Sequence, residues 1–314
     1  MKSVILGKLL SALAVVFALS ILIFMMVRML PGDAVTVMLG GEGTPEQAAA
    51  LRAKYSLDQP VPVQYVSWLL NVLQGDWGTS LSNHADVVPL VLERLPRTLL
   101  LCLVSTVLAL ALAIVLGVVS AARHNTNLDL GISVGSLVLL SVPEFWMGVL
   151  LMLLFAVTFP ILPAGGFVRP EVDFGKFLMS IILPIATLTI SSMPPMLRLV
   201  RSSMLEVLGE DYITLAKTKG NSPLRVYFAH ALRNSLIPIA TTVSLLVTSL
   251  MAGVIVIEKV FQFPGMGLLL LNAIQARDYP VIQACLLVFS AIVVAINMLT
   301  DIVYAMIDPR IRLS

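Results

Sequence analysis

Charge is scarce in this chain. Only 12% of its 314 residues are Asp, Glu, Lys or Arg, where an ordinary soluble domain carries roughly a quarter. Cysteine is scarcer still: Cys102 and Cys285 each stand alone inside an apolar run, so neither a disulfide framework nor a thiolate metal site is expected. The three histidines, His84, His124 and His230, are scattered along the chain and do not read as a metal triad. No Gly-x4-Gly-Lys-Ser/Thr loop offers a phosphate cradle. No His-Glu-x-x-His and no serine nucleophile elbow is present either. A formal net charge of +2 gives no basis for a nucleic-acid partner.

Apolar residues, by contrast, make up 58% of the chain. They are gathered into six runs, at about 9–29, 98–121, 132–159, 177–199, 236–257 and 281–307. Each is near the length of about 20 residues that an α-helix needs to cross the hydrocarbon core. The runs are continuously apolar, so helices are expected and not barrel strands, whose apolar residues alternate. The first follows Lys2 and Lys8 like a signal peptide, but its apolar stretch exceeds the usual signal core, which predicts a retained helix. The fold class is therefore an all-α integral membrane protein with six transmembrane helices, surrounded by membrane lipid.

Orientation follows from the lysines and arginines of the short loops. One side collects Lys2, Lys8, Arg123, Arg198, Arg201, Lys217, Lys219, Arg225, Arg233, Arg310 and Arg312. The other holds Arg169, Lys176, Lys259 and Arg277. Both termini are expected in the cytoplasm. The expected division is a first helix over 1–29, an extracytoplasmic helical segment over 30–97, and a five-helix scaffold over 98–314 with a cytoplasmic loop at 200–235. In the segment 30–97, Thr44-Pro45-Glu46-Gln47 predicts a helix start with a capping box. Val66, Leu69, Leu70 and Leu73 predict an amphipathic helix. Trp68 and Trp77 are candidate anchors at the membrane interface.

The cytoplasmic loop is patterned. Asp211 is expected to cap a helix over Tyr212–Lys219 that Gly220 ends, and Ser222-Pro223 to start a second short helix. The expected product is a compact elbow. The small Ala216 and Gly220 would let another backbone approach, and Lys217, Lys219 and Arg225 form a positive rim. On these residues alone, a docking knob and a loop that only sets topology both remain open.

Polar residues within the runs are candidates for a pathway, because an ionisable group in the membrane is costly. Glu144 follows Pro143 in the third run, and it either faces an internal pathway, attracting a cationic substrate group, or serves a helix contact. Ser249 and Gly253 place small side chains on the fifth run, suited to close packing or to lining a cavity. Asn297 and Asp301 share a helix face, Asp301 being a candidate partner for Arg198 or Arg201. Pro184, Pro194 and Pro195 predict a kinked or re-entrant fourth helix.

The loop resembles the "EAA" loop of ABC-importer permeases, a Glu-Ala-Ala triplet followed at fixed spacing by glycine and then Ile-x-Leu-Pro. Ala216, Gly220 and Leu232 match it; Thr214, Leu215, His230 and Arg233 depart from it. The run His230-Ala231-Leu232-Arg233-Asn234-Ser235-Leu236-Ile237-Pro238 is similar to the form this loop takes in dipeptide, oligopeptide and nickel permeases. So are Pro31-Gly32-Asp33, Leu57-Asp58-Gln59-Pro60, Gly75-Asp76-x-Gly78-x-Ser80, Ser141-Val142-Pro143-x-Phe145-Trp146, Phe263-Pro264-Gly265-Met266-Gly267, Arg277-Asp278-Tyr279-Pro280 and Asp308-Pro309-Arg310-Ile311-Arg312. The ordered set spans nearly the whole chain and looks like the first of the two permease subunits.

That resemblance implies a type I importer permease fold and a non-catalytic subunit. It implies four kinds of surroundings: a second homologous permease as heterodimer partner, two cytoplasmic ATPase subunits, an extracytoplasmic substrate-binding protein, and lipid. It implies no cofactor of the chain's own, ATP being bound by the partner subunits. Asp211, Tyr212, Leu215, Ala216, Lys217, Lys219, Gly220 and Arg225 would form the coupling helix that meets the ATPase. Peptides, glutathione-like peptides and nickel or its chelates all fit the resemblance as cargo. A self-sufficient ion-coupled carrier is the alternative of another class; it would favour internal repeats or paired membrane charges, and no clear repeat is seen.

Overall fold

The computed structural model describes the backbone of residues 2–29, 44–46, 49 and 58–307, and the side chains within these ranges except 2–6, 236–241 and 301–307. Long apolar runs with no water to serve their backbone must close hydrogen bonds within themselves, and helices are what result. The helices are α1 (Lys2–Met29), α2 (Val61–Leu73), α3 (Val87–Ala122), α4 (Asn127–Ser141), α5 (Glu144–Met152), α6 (Phe174–Leu208), α7 (Asp211–Thr218), α8 (Arg233–Val260), α9 (Met266–Ala276) and α10 (Tyr279–Ile307). Two π-helical turns, Leu153–Thr158 and Val226–Leu232, extend α5 and lead into α8. The chain is all-α among the described residues; an isolated bridge between Thr79 and Asp86 is the extent of β pairing.

Among the described residues, five helices are long and apolar enough to cross a membrane: α1, α3, α6, α8 and α10. The pair α4–α5 makes a sixth if counted as one span, bent by 100°. The bend falls at Val142–Pro143, where proline has no N–H to continue the ladder and restricts the residue before it. A kink or re-entrant break was expected in the fourth run as well. There, α6 carries Pro184, Pro194 and Pro195 and stays continuous over 35 residues. It is the most buried of the spans, packed against α4, α5 and α8, and neighbouring helices let a membrane helix tolerate proline. Asp173 caps α6 by accepting from the Lys176 N–H at 3.0 Å; that hydrogen bond is the main cause that holds its carboxyl below the usual range. The run expected from Thr98 is the inner part of α3, which starts eleven positions earlier, at Val87.

The chain forms two compact units. One comprises residues 1–5, 99–263 and 296–314; the other comprises 6–98 and 264–295. In the first, α6 is the central post. At its end near Arg201, Val200 and Met204 join Val118 and Ala121 of α3, Ile213 of α7, and Val226 and Ala231 of the turn before α8 in one buried cluster. Gly117 permits this approach: a Cβ there would stand 2.7 Å from Val200 Cγ1. In the second unit, α1 packs on α2, and the residues before α9 are tied to the start of α3. Thr98 Oγ1 accepts from the Met266 N–H at 2.8 Å, and Arg97 Nη1 donates to the Pro264 carbonyl at 3.1 Å.

Pro45 and Glu46 are helical as expected, while the capping partner Gln47 lies outside the described residues. So do Pro31-Gly32-Asp33, the side chain of Asp301, and the residues 308–312.

Candidate functional site

The elbow is built from α7 and the turn that follows it. Ile213 joins the buried cluster, and Ala216, about one helical turn on, is buried as well. Leu215 points the other way and is 55% exposed, and Tyr212, Leu224 and Phe228 are also exposed along this segment. Asp211, Lys217, Lys219, Gly220 and Arg225 are exposed around this patch. The surface offered is thus apolar at its centre and mostly cationic at its edge.

Three local expectations are corrected. The N-cap of α7 is Glu210, without a side-chain cap bond, and Asp211 is the first helical residue, where its charge still complements the positive helix end. Ala216 is buried by the chain's own helices, so its small size serves internal packing and it is not part of the outward surface. The second helix is not a separate short element. Pro223–Arg225 runs through the π turn Val226–Leu232 straight into α8. Pro223 starts it and Gly220 ends α7 with φ +78°, both as their residue types predict. The junction is pinned by Asn221 Nδ2, which donates to the Ala216 carbonyl at 2.9 Å, and by Asn234 Nδ2, which donates to Tyr212 Oη at 2.7 Å.

A charged clamp braces the same end of the unit. Asp129 lies in the first turn of α4 and is buried. It accepts from Arg201 Nε at 2.7 Å and Nη2 at 2.8 Å, from Ser120 Oγ at 2.5 Å, and from the Asn125 N–H at 3.1 Å. His124 Nδ1 stands 3.2 Å from its second oxygen. One carboxylate therefore joins the ends of α3, α4 and α6, beside the cluster that seats the elbow. Arg201, expected as a candidate partner of Asp301, is engaged by Asp129. The clue in the sequence was Thr126-Asn127-Leu128-Asp129, a capping box: Thr126 Oγ1 does accept from the Asp129 N–H, at 3.4 Å.

At the bend between α4 and α5, Glu144 opens α5 and meets α8 at Gly253. A Cβ on Gly253 would stand 2.8 Å from the Glu144 carboxyl carbon and nearer still to its oxygens. Gly253 is thus small because a carboxylate occupies the space beside it. Ser249, one turn away on α8, is exposed and lies on the same stripe. The sequence reading missed Glu258. It ended the fifth run at Ile257, whereas α8 continues to Val260 and buries Glu258 completely. The loop after α5 closes on the end of α8: the Gly166 N–H donates to the Phe261 carbonyl at 2.8 Å, and Phe167 stacks edge-on to Phe263 with centroids 5.2 Å apart.

In the other unit, two motifs read separately in the sequence meet. Asp278, buried, accepts from Ser80 Oγ, from the Leu81 N–H at 3.1 Å, and from Ser82 N–H and Oγ at 3.3 and 3.0 Å. Among the described residues no group of three or more His, Cys, Asp and Glu is placed to hold a metal ion.

Comparison with known proteins places these features in a family. Residues 113–313 match the family described as binding-protein-dependent transport system inner membrane component, and residues 1–102 match its N-terminal membrane component. The chain is 38% identical over 315 residues to the oligopeptide transport system permease protein AppB of Bacillus subtilis (strain 168), with 99% of this chain and 100% of the relative covered. It is 40% identical over 314 residues to a putative peptide permease of Brucella suis biovar 1, and 37% identical over 308 residues to a probable peptide ABC transporter permease of Sinorhizobium fredii, each covering 98% of both chains.

Proposed function

We propose that this chain, which belongs to the family of binding-protein-dependent transport system inner membrane components, is a peptide permease that provides half of a translocation path and one lever for driving it. It is a non-catalytic, multi-pass component of the inner membrane. Peptide cargo, in preference to nickel or a chelate, is supported by the relatives described as peptide permeases. The remaining partners are a second homologous permease, two cytoplasmic ATPase subunits that bind the ATP, and an extracytoplasmic binding protein; the chain carries no cofactor itself. Both termini then lie in the cytoplasm, on the side rich in Lys and Arg.

The observation that carries this reading is the elbow. An exposed apolar patch with a mostly cationic edge, seated on a buried cluster and braced by a charge clamp, is suited to receive force from another protein and pass it to α3, α6 and α8. Tyr212, Leu215, Lys217, Lys219 and Arg225 are its contacts; Asp211 and Gly220 set its ends; Ala216 holds it to the chain. Leu215→Asp tests it. The side chain is exposed, so the permease is expected to insert and fold normally, while a carboxylate placed in an apolar contact has no partner to offset its desolvation. ATPase subunits should no longer co-purify with the variant from native membranes in mild detergent, and ATP-driven uptake should cease. Retention of both would count against the elbow as the docking point. A lone chain that transports under an ion gradient, without ATP, would count against the whole reading.

Glu144, Gly253 and Ser249 form the pathway side in this proposal. Gly253→Ala forces the Glu144 carboxylate aside, a far end of a flexible side chain, so the fold is retained. Uptake is expected to fall as it does in Glu144→Gln, and the double variant is expected to fall no further, since both act on the same carboxylate. Losses that add in the double variant would separate the two residues.

A further inference from the structure

α2 has three distinct sides. Gln64, Tyr65, Trp68 and Val72 face the protein. Ser67, Asn71 and Gln74 form an exposed polar stripe. Val63, Val66, Leu70 and Leu73 form a third stripe, at helical spacing, each between 51% and 75% exposed. Residues 61–73 contain no charge, and Asp58 and Asp76 stand beyond the two ends.

The inward side docks on α1. Tyr65 Oη and Ser20 Oγ are 2.8 Å apart, Phe24 meets the rings of Tyr65 and Trp68 at centroid distances of 5.4 and 5.5 Å, and Phe17 meets Tyr65 edge-on at 6.3 Å. These contacts set a depth. Ser20 is nine residues before Met29, the end of the α1 span, which at 1.5 Å per residue is about 14 Å inside it. A helix tied to that level lies alongside hydrocarbon. The α1 side chains at the same level, Leu22, Met25 and Met26, are exposed and apolar, as expected where a spanning helix meets lipid.

We infer that α2 is embedded in the membrane leaflet at the Met29 end of α1, its Val63–Val66–Leu70–Leu73 stripe among acyl chains and its Ser67–Asn71–Gln74 stripe toward water. This gives a physical reason for a helix that is apolar on two sides yet too short to span. Acyl chains are favoured as the occupant over a protein partner because the stripe holds no hydrogen-bonding group and lies at a level where α1 itself exposes Leu22, Met25 and Met26. The polar stripe beside it supplies the water-facing edge that an interfacial helix needs.

Single cysteines at Val66, Leu70, Ser67 and Asn71 test this in the intact complex, in lipid nanodiscs of phosphatidylethanolamine and phosphatidylglycerol. All four positions are exposed, so labelling leaves the core untouched, and Cys102 and Cys285 are buried. With a nitroxide at each, relaxation by oxygen should exceed relaxation by a nickel chelate several-fold at 66 and 70, and the order should reverse at 67 and 71. Equal access of the chelate to all four sites would place α2 in water and overturn the inference. Protection of 66 and 70 from both reagents would show protein in place of lipid and overturn it equally.

Discussion

Asp129→Ala should cost about 3 kcal/mol of stability, toward the lower end of the range for breaking a buried ion pair. The lower end is expected because the Arg201 side chain remains 25% exposed and water relieves part of the loss. What remains is still large. Alanine removes the acceptor for both guanidinium nitrogens, for Ser120 Oγ and for the Asn125 N–H at once. A donor left without a partner loses more than a hydrogen bond contributes when made. The variant should lose its folded, monodisperse form in detergent at clearly lower temperature than the parent. Arg201→Lys should lie between the two, since an ammonium cannot present the guanidinium fork. The elbow should loosen with the clamp, because Val118, Ala121, Val200 and Met204 flank the bridged positions and seat Ile213. An unchanged melting profile for Asp129→Ala would mean that the clamp does not brace this end.

Asp278→Ala is expected to release the Ser80–Ser82 loop. Four donors converge on that buried carboxylate: two hydroxyls and two backbone N–H groups. Hydrogen bonds to a charged acceptor contribute about 1.5–3 kcal/mol each when considered singly. Several share one acceptor here, so the net loss is set at about 3 kcal/mol, confined to local opening. Hydrogen exchange at the Leu81 and Ser82 amides should then accelerate about a hundredfold. Amides within α10 beyond its first turn should be unaffected. Asp278→Asn keeps one carbonyl acceptor and should show an intermediate rate. Exchange at Leu81 and Ser82 indistinguishable from the parent would show that the loop is held by its own bonds, such as the Ser80 N–H to the Ala85 carbonyl at 2.8 Å.

These two carboxylates show where reading along the chain loses power. Asp278 and Ser80 each belonged to a recognisable short motif, yet they lie 198 positions apart and no local signal joins them. Asp129 stands in a Thr-x-x-Asp pattern at the start of α4, which signals a helix start from four neighbouring positions. Its role as acceptor for Arg201, 72 positions away, depends on how α4 and α6 pack. The prolines teach the same lesson from the other side. Pro143 and Pro184 remove the same kind of hydrogen bond, but the chain bends 100° at the first and runs on as helix through the second. The bend is settled by what surrounds the site, and α6 is packed by helices on several sides while the α4–α5 junction is not as enclosed.

The sequence by itself determined the helical class, the order of the apolar runs, the position of the elbow along the chain and the family resemblance. All of these depend on properties that are local or additive along the chain: the length of apolar runs, short motifs in order, and turn residues such as Gly220 and Pro223. Only the tertiary structure decided that Ala216 faces inward while Leu215 faces out, that Gly253 makes room for Glu144, that Glu258 is buried, and that Arg201 belongs to Asp129. Each of these depends on which distant segment occupies the neighbouring space, and close packing makes that choice collectively, with no single stretch of sequence containing it.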